Sequence, residues 1–141
     1  MMQVDERFEV GASRAEVFRL WTAFEQYPSF LTGVDSVYAE TSERLRWRAS
    51  IAGLPRSFYA IVTEYEPDER LAFVSVDQSS LGWWVDLVEL GPHRTEVRVR
   101  VIVSPRGDLW APGLTELDEL TIRCDLLRFR ALAEGTLSQA A

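Results

Sequence analysis

From residue 34 to residue 104 the hydropathy alternates with a period of two, and no helical period interrupts it. Six segments carry the alternation: VDSVYAE, RLRWRASI, RSFYAIVTEY, RLAFVSVDQ, GWWVDLVEL and RTEVRVRVIV. The links between them are short and rich in turn residues: Thr41 to Glu43, the stretch around Gly53 and Pro55, EPDE at 66–69, QSS, and GPHR at 91–94. Parallel neighbours need long crossovers, so consecutive strands joined this closely must be antiparallel. The chain is committed to a meander before its flanks are considered.

The flanks add one strand and helices. QVDERFEV, residues 3–10, reads as a first strand. Ser13 and Glu16 then have capping-box spacing, with Val17, Leu20 and Trp21 at helical intervals behind them. That helix breaks near Thr22, and FEQYPSFL resumes as a second short helix that Pro28 ends or kinks. After Pro105 and Gly107 a loop runs through LWAPGL to Thr115, which pairs with Asp118 as a second capping box. Helical periodicity then continues to about Ala133, with Gly135 placed to close the helix. The order is strand, two short helices, six strands, long helix. It predicts one α+β domain over 1–141, in which a curved antiparallel sheet of seven strands wraps a long C-terminal helix.

Side-chain parity assigns the faces. Leu45, Trp47, Ala49 and Ile51 oppose Arg44, Arg46, Arg48 and Ser50; Val97, Val99, Val101 and Val103 oppose Glu96, Arg98 and Arg100. Both arginine rows belong on the solvated convex face. The middle strands are apolar on both sides. Trp83, in register with Leu81, Val85 and Leu87, faces inward, which sends Trp84 outward to join Tyr59, Ile61, Val74 and Val76 in a convex apolar patch. A patch of that kind marks a partner surface, and a homodimer is the simplest partner because a two-fold interface needs only one patch.

Composition narrows the function. The chain has 141 residues, 47% hydrophobic, and a net charge of −7, with no lysine among its 15 basic residues. Outside RLRWR at 44–48 and RTEVRVR at 94–100 nothing resembles a phosphate-binding face, so a nucleic-acid partner is not expected. No apolar run is long enough to span a bilayer, the N-terminus has no signal-peptide pattern, and a cytoplasmic location is the expectation. Cys124 is the single cysteine and His93 the single histidine, the latter in a turn; no metal site and no cofactor are expected from them. Ser75 and Asp77 share the inward parity. They are the candidates for orienting a carbonyl or accepting a proton, since a buried carboxylate has the raised pKa that a general base needs.

The pattern F-x-x-W-T-x-F-E-x-Y-P-x-F-x-x-G-V at 18–34, L-R-W-R-A at 45–49, T-E-Y-x-P-D-E-R-L-A-F at 63–73 and D-L-L-R-F at 125–129 resembles the polyketide cyclase/dehydrase branch of the START-like, or SRPBCC, superfamily. The resemblance implies the helix-grip (Bet v 1-like) fold, with an elongated apolar cavity between sheet and C-terminal helix. It also implies binding of a hydrophobic, aromatic or polycyclic small molecule, with polyketide cyclase or dehydratase activity as the enzymatic form of that function. On this footing Trp47, Phe58, Val62, Phe73, Ser75, Trp83, Val99 and Val101 would wall the cavity. Leu117, Thr121 and Cys124 would close it from the helix, and Tyr27, Phe30 and Trp110 would sit at its mouth. The resemblance further implies charged residues at the positions of Tyr59, Ile61 and Val74, which are apolar here. Cyclases of the family hold a polyketone with arginine and tyrosine side chains, and no arginine here has inward parity. The alternative is an interaction protein that works through its convex face without turnover.

Overall fold

A computed structural model describes residues 2–51, 54–76, 81–103 and 119–135. Its strands are β1 (Met2–Val10), β2 (Val34–Ala39), β3 (Arg44–Ile51), β4 (Leu54–Glu66), β5 (Arg70–Ser75), β6 (Leu81–Gly91) and β7 (Arg94–Val103). They form one seven-stranded sheet in the order β1-β7-β6-β5-β4-β3-β2, antiparallel at every pairing. This is the meander that the short links require, with β1 returning to pair with the last strand. Pro55 belongs to β4, opposite Ser50, and not to the preceding turn.

Helix α1 (Arg14–Thr22) starts where the capping signal places it: the Ser13 hydroxyl oxygen accepts from the Glu16 backbone N–H at 3.2 Å. A 3₁₀ helix (Phe24–Ser29) follows, with Pro28 inside it. Helix α2 (Glu119–Ala133) ends at Gly135, whose φ of 73° is the left-handed value a glycine adopts without cost.

Two tethers hold α2 across the concave side of the sheet. The Glu134 carboxylate accepts from the Gly11 backbone N–H at 2.8 Å, and Asp125 accepts from both the backbone N–H and the hydroxyl of Thr32, at 2.9 and 2.6 Å. Ile122, Leu126, Phe129 and Leu132 are the buried apolar residues of α2, at helical spacing. They meet the sheet's inward rows in one apolar core. A bulge between Val62 and Glu64 reverses the parity of β4 beyond it, so Tyr65 turns to the concave side and its ring meets Phe18 of α1.

Candidate functional site

The sheet register builds the inner wall. Val4, Val101, Trp83, Phe73 and Val62 are successive cross-strand partners, a row of five apolar side chains over five strands. Beside it Trp47 faces Phe58. The rings of these residues lie in layers: Trp47 stacks on Phe58 (5.7 Å, 15°) and Phe73 on Trp83 (6.3 Å, 17°), and Trp47 joins the two pairs through Phe73 at 5.7 Å. Trp47, Phe58, Phe73, Trp83, Val99 and Val101 are buried and Val62 is partly so, as their parity requires.

The helical side contributes a second aromatic group. Trp21 stacks on Phe129 at 4.1 Å, and Phe30 meets both rings edge-on. Tyr27 connects this group to the wall, with ring contacts to Trp21, Trp47 and Phe73. Tyr27 and Phe30 are fully buried, which corrects their expected place at a cavity mouth. The compact 3₁₀ turn tucks both rings beneath α1. The Tyr27 hydroxyl donates to the Trp21 carbonyl at 2.6 Å, and burial pushes its pKa well above the usual phenol value. Tyr27 is therefore a neutral structural donor at any ordinary pH.

Cys124 is exposed and does not line the interior. The inward phase of α2 runs through Ile122, Asp125, Leu126 and Phe129, which turns position 124 to solvent. Thr121 lies in α2, and its side chain, like Asp77, Trp110 and Leu117, falls outside the described residues. Ser75 is half-buried on the inward parity, and its hydroxyl oxygen accepts from the Leu81 backbone N–H at 2.8 Å. His93 is exposed in its turn, and no group of His, Cys, Asp or Glu among the described residues is placed to hold a metal ion.

Two features of the interior are invisible to parity alone. Asp125 is a buried carboxyl whose pKa burial raises, against the opposing pull of its two bonds from Thr32 and the nearby Arg128. The motif D-L-L-R-F contains it, yet its partner is 93 positions away in sequence. The second feature is a pair of buried indole N–H groups, on Trp21 and Trp47, that find no acceptor among the described residues. An unmade buried hydrogen bond costs roughly 1–3 kcal/mol. Each such group calls for an acceptor that the described residues do not provide.

On the convex face Tyr59, Ile61, Val74 and Trp84 are half-buried, and Val76 is 56% exposed. Trp84 is largely accounted for within its own sheet. A Cβ built on Gly82 would come within 2.5 Å of the indole, so the ring lies directly over that glycine. Ala72, the cross-strand partner of Trp84 on the same outer face, is fully buried.

A family model described as polyketide cyclase/dehydrase and lipid transport matches residues 10–117. Solved structures share the fold over nearly the whole chain. A START superfamily protein of Mycobacterium smegmatis is 21% identical, with a TM-score of 0.71 and 99% of each chain covered. The Zhui aromatase/cyclase of a Streptomyces species is 15% identical, with a TM-score of 0.74 over 99% of this chain and 98% of that one. A Deinococcus radiodurans protein is 24% identical, with a TM-score of 0.78 over 97% and 100%. These likenesses establish the helix-grip, START-like architecture. Among curated proteins, an uncharacterized 17.2 kDa protein of Streptomyces lincolnensis is 37% identical over 76 residues, 54% of this chain. That match spans about half the length of the relative, 51%. No helix among the described residues is long and apolar enough to cross a membrane.

Proposed function

The chain belongs to the polyketide cyclase/dehydrase and lipid transport family, and from that premise we propose that it binds a hydrophobic, aromatic or polycyclic small molecule between the curved sheet and α2. The observation that carries this is the stacked wall of Trp47, Phe58, Phe73 and Trp83 together with the unpartnered indole N–H of Trp47. Layered rings favour a flat apolar guest. A buried donor on one of them favours a guest with an acceptor atom, because only such a guest repays the lost hydrogen bond. Binding, and not turnover, is what these side chains supply. Among the described residues the buried ionisable groups are Tyr27 and Asp125, and both are spent on structural hydrogen bonds. A cyclase or dehydratase step would draw its proton acceptor from beyond them, and Asp77 is the candidate from sequence.

Calorimetric titration with 2-methylnaphthalene and with 2-methyl-1,4-naphthoquinone tests the proposal, since the two share a skeleton and differ in carbonyl oxygens. Both should bind, the quinone more tightly, and Trp47→Phe should remove the quinone's advantage while keeping the hydrocarbon. Absence of binding by either compound overturns the proposal.

A homodimer through the convex face would have to rest on Val76 and its half-buried neighbours, because Trp84 is already laid on Gly82. Light scattering of wild type against Val76→Glu separates the two uses of the sheet: a dimer that the substitution dissolves would restore the interaction reading.

A further inference from the structure

The arginines of the stretch RLRWR, unlike its Leu45 and Trp47, are not used by the interior. Among the described residues ten arginines are ion-paired with a carboxylate. Among the described side chains Arg19, Arg46 and Arg48 are the ones without such a pair. Arg19 is an exposed residue of α1. Arg46 and Arg48 are different: they project from one face of β3, two positions apart, and both line a groove of about 440 Å³ between the 3₁₀ helix and strands β2 and β3. The Nε of Arg46 is buried and has no hydrogen-bond partner among the described residues. In a chain with 22 acidic against 15 basic residues, two adjacent guanidinium groups left without a carboxylate are a departure from the pattern of the whole surface.

We infer that this groove is a binding site for a small organic phosphate, separate from the interior. Alternate residues of a strand lie about 7 Å apart, so both guanidinium forks can close on one tetrahedral anion. Phosphate suits them better than a single carboxylate because it offers acceptors to two forks at once. The volume exceeds what a bare phosphate fills and lies within the range of small-molecule sites. The remaining lining indicates the organic part. Tyr38, the cross-strand partner of Arg46, is 58% exposed and offers a ring face to stack on. Ser36, the partner of Arg48, adds a hydroxyl. Of the two acids in the groove, Asp35 has a partner of its own, while Glu25 is exposed on the facing 3₁₀ helix and is not paired to either arginine. Glu25 can accept from hydroxyl groups of the ligand.

Titration by calorimetry with adenosine monophosphate, inorganic phosphate and adenosine reads the three contributions apart. The nucleotide should bind, inorganic phosphate more weakly, and adenosine not measurably. The double variant Arg46→Gln, Arg48→Gln should weaken the nucleotide by about tenfold or more, the scale of losing one charge-assisted hydrogen bond. Arg19→Gln should leave it unchanged. Should the double variant lose its fold, Arg48→Glu, whose side chain is exposed, is the substitute and should have the same effect. Equal binding by wild type and variant, or equal binding of adenosine and its phosphate, or no binding up to about 10 mM, a Kd at which affinity falls below about 3 kcal/mol, overturns the site. Quinone binding in the interior is unaffected by these substitutions, so the two sites fail or succeed separately.

Discussion

The two faces of this sheet alternate residue by residue, yet opposite physics holds them. On the concave face the row Val4, Val101, Trp83, Phe73, Val62 is wholly apolar. One residue further along, the convex row reads Asp5, Arg100, Trp84, Ala72, Glu64. Burying a large apolar side chain is worth roughly 1.5–3 kcal/mol, whereas exposed ion pairs contribute about 0–1 kcal/mol each. The concave face therefore carries the stability of the fold and the convex face its solubility and register. The convex face departs from that division at Trp84 and its apolar neighbours Tyr59, Ile61, Val74 and Val76, and at the Arg46–Arg48 groove.

The largest loss of stability should follow removal of one ring from the concave side. Trp21→Ala or Phe129→Ala deletes one partner of the closest ring contact among the described residues, at a fully buried site tied to Phe30. Urea unfolding should show a loss of about 3–5 kcal/mol, a large share of the stability of an ordinary domain. A comparable truncation of an exposed convex arginine such as Arg98 should leave the midpoint nearly unmoved. Equal losses on the two faces would refute the division.

The sheet was legible because its signal is local. Period two and short turns determine the strands, their order and which side chains face in, and the positions of Trp47, Phe58, Phe73 and Trp83 follow. The helices were harder for a physical reason. Helix α2 has apolar residues on more than one face, with Leu127 62% exposed, so a phase through Leu117, Thr121 and Cys124 fits the sequence as well as the observed phase through Ile122 and Phe129. The 3₁₀ helix buries Tyr27 and Phe30 through contacts with Trp21 and Trp47, which no local pattern records. Trp84 on Gly82 lies between these cases. The spacing i, i+2 was visible in LGWW, but the glycine had to be recognised as a seat for the ring.

Asp125 is the buried carboxyl of the concave side among the described residues. Asp125→Ala leaves the Thr32 N–H without an acceptor and should cost roughly 1–3 kcal/mol. Asp125→Asn should behave differently. The amide oxygen can take the Thr32 N–H, and the Thr32 hydroxyl can turn to accept from the amide, so asparagine mimics the protonated acid. Because burial raises the folded-state pKa, the carboxyl's contribution is fully present below its unfolded value and is lost as pH rises through the folded one. Wild type and Asp125→Asn should therefore be similar in stability at acid pH, with the variant gaining relative to wild type toward neutrality. Denaturation midpoints across that range measure the difference, and a wild type that instead gains on the variant as pH rises would show that the bonds from Thr32, and not burial, control this group.

Gly82→Ala should have a smaller effect, on the convex side. The new methyl would meet the Trp84 ring at 2.5 and 2.7 Å, so the indole must lift from its seat and uncover Ala72. The ring is half-buried and its outer edge can move, which places the cost near 1 kcal/mol, the low end of overpacking. In a Trp84→Ala background the same substitution should cost little, because the clash is gone. A double-mutant cycle that returned no coupling between the two positions would show that Trp84 is not held by Gly82.

The smallest effect belongs to the ladder itself. The Asp5 carboxylate accepts from the Arg100 guanidinium at 2.8 Å, and that bond, aided by Gln3, holds its pKa below the usual carboxylate range. A depressed folded-state pKa contributes stability above the unfolded value that is lost as pH falls through the folded one. Both side chains are more than half exposed, so water and salt screen most of the coupling. In Arg100→Gln the Asp5 carboxyl should titrate closer to its ordinary value by NMR, while the urea midpoint at neutral pH stays within error of wild type. A clear drop in stability with that single charge would mean that the convex rows also hold the sheet together, and the division between its faces would have to be redrawn.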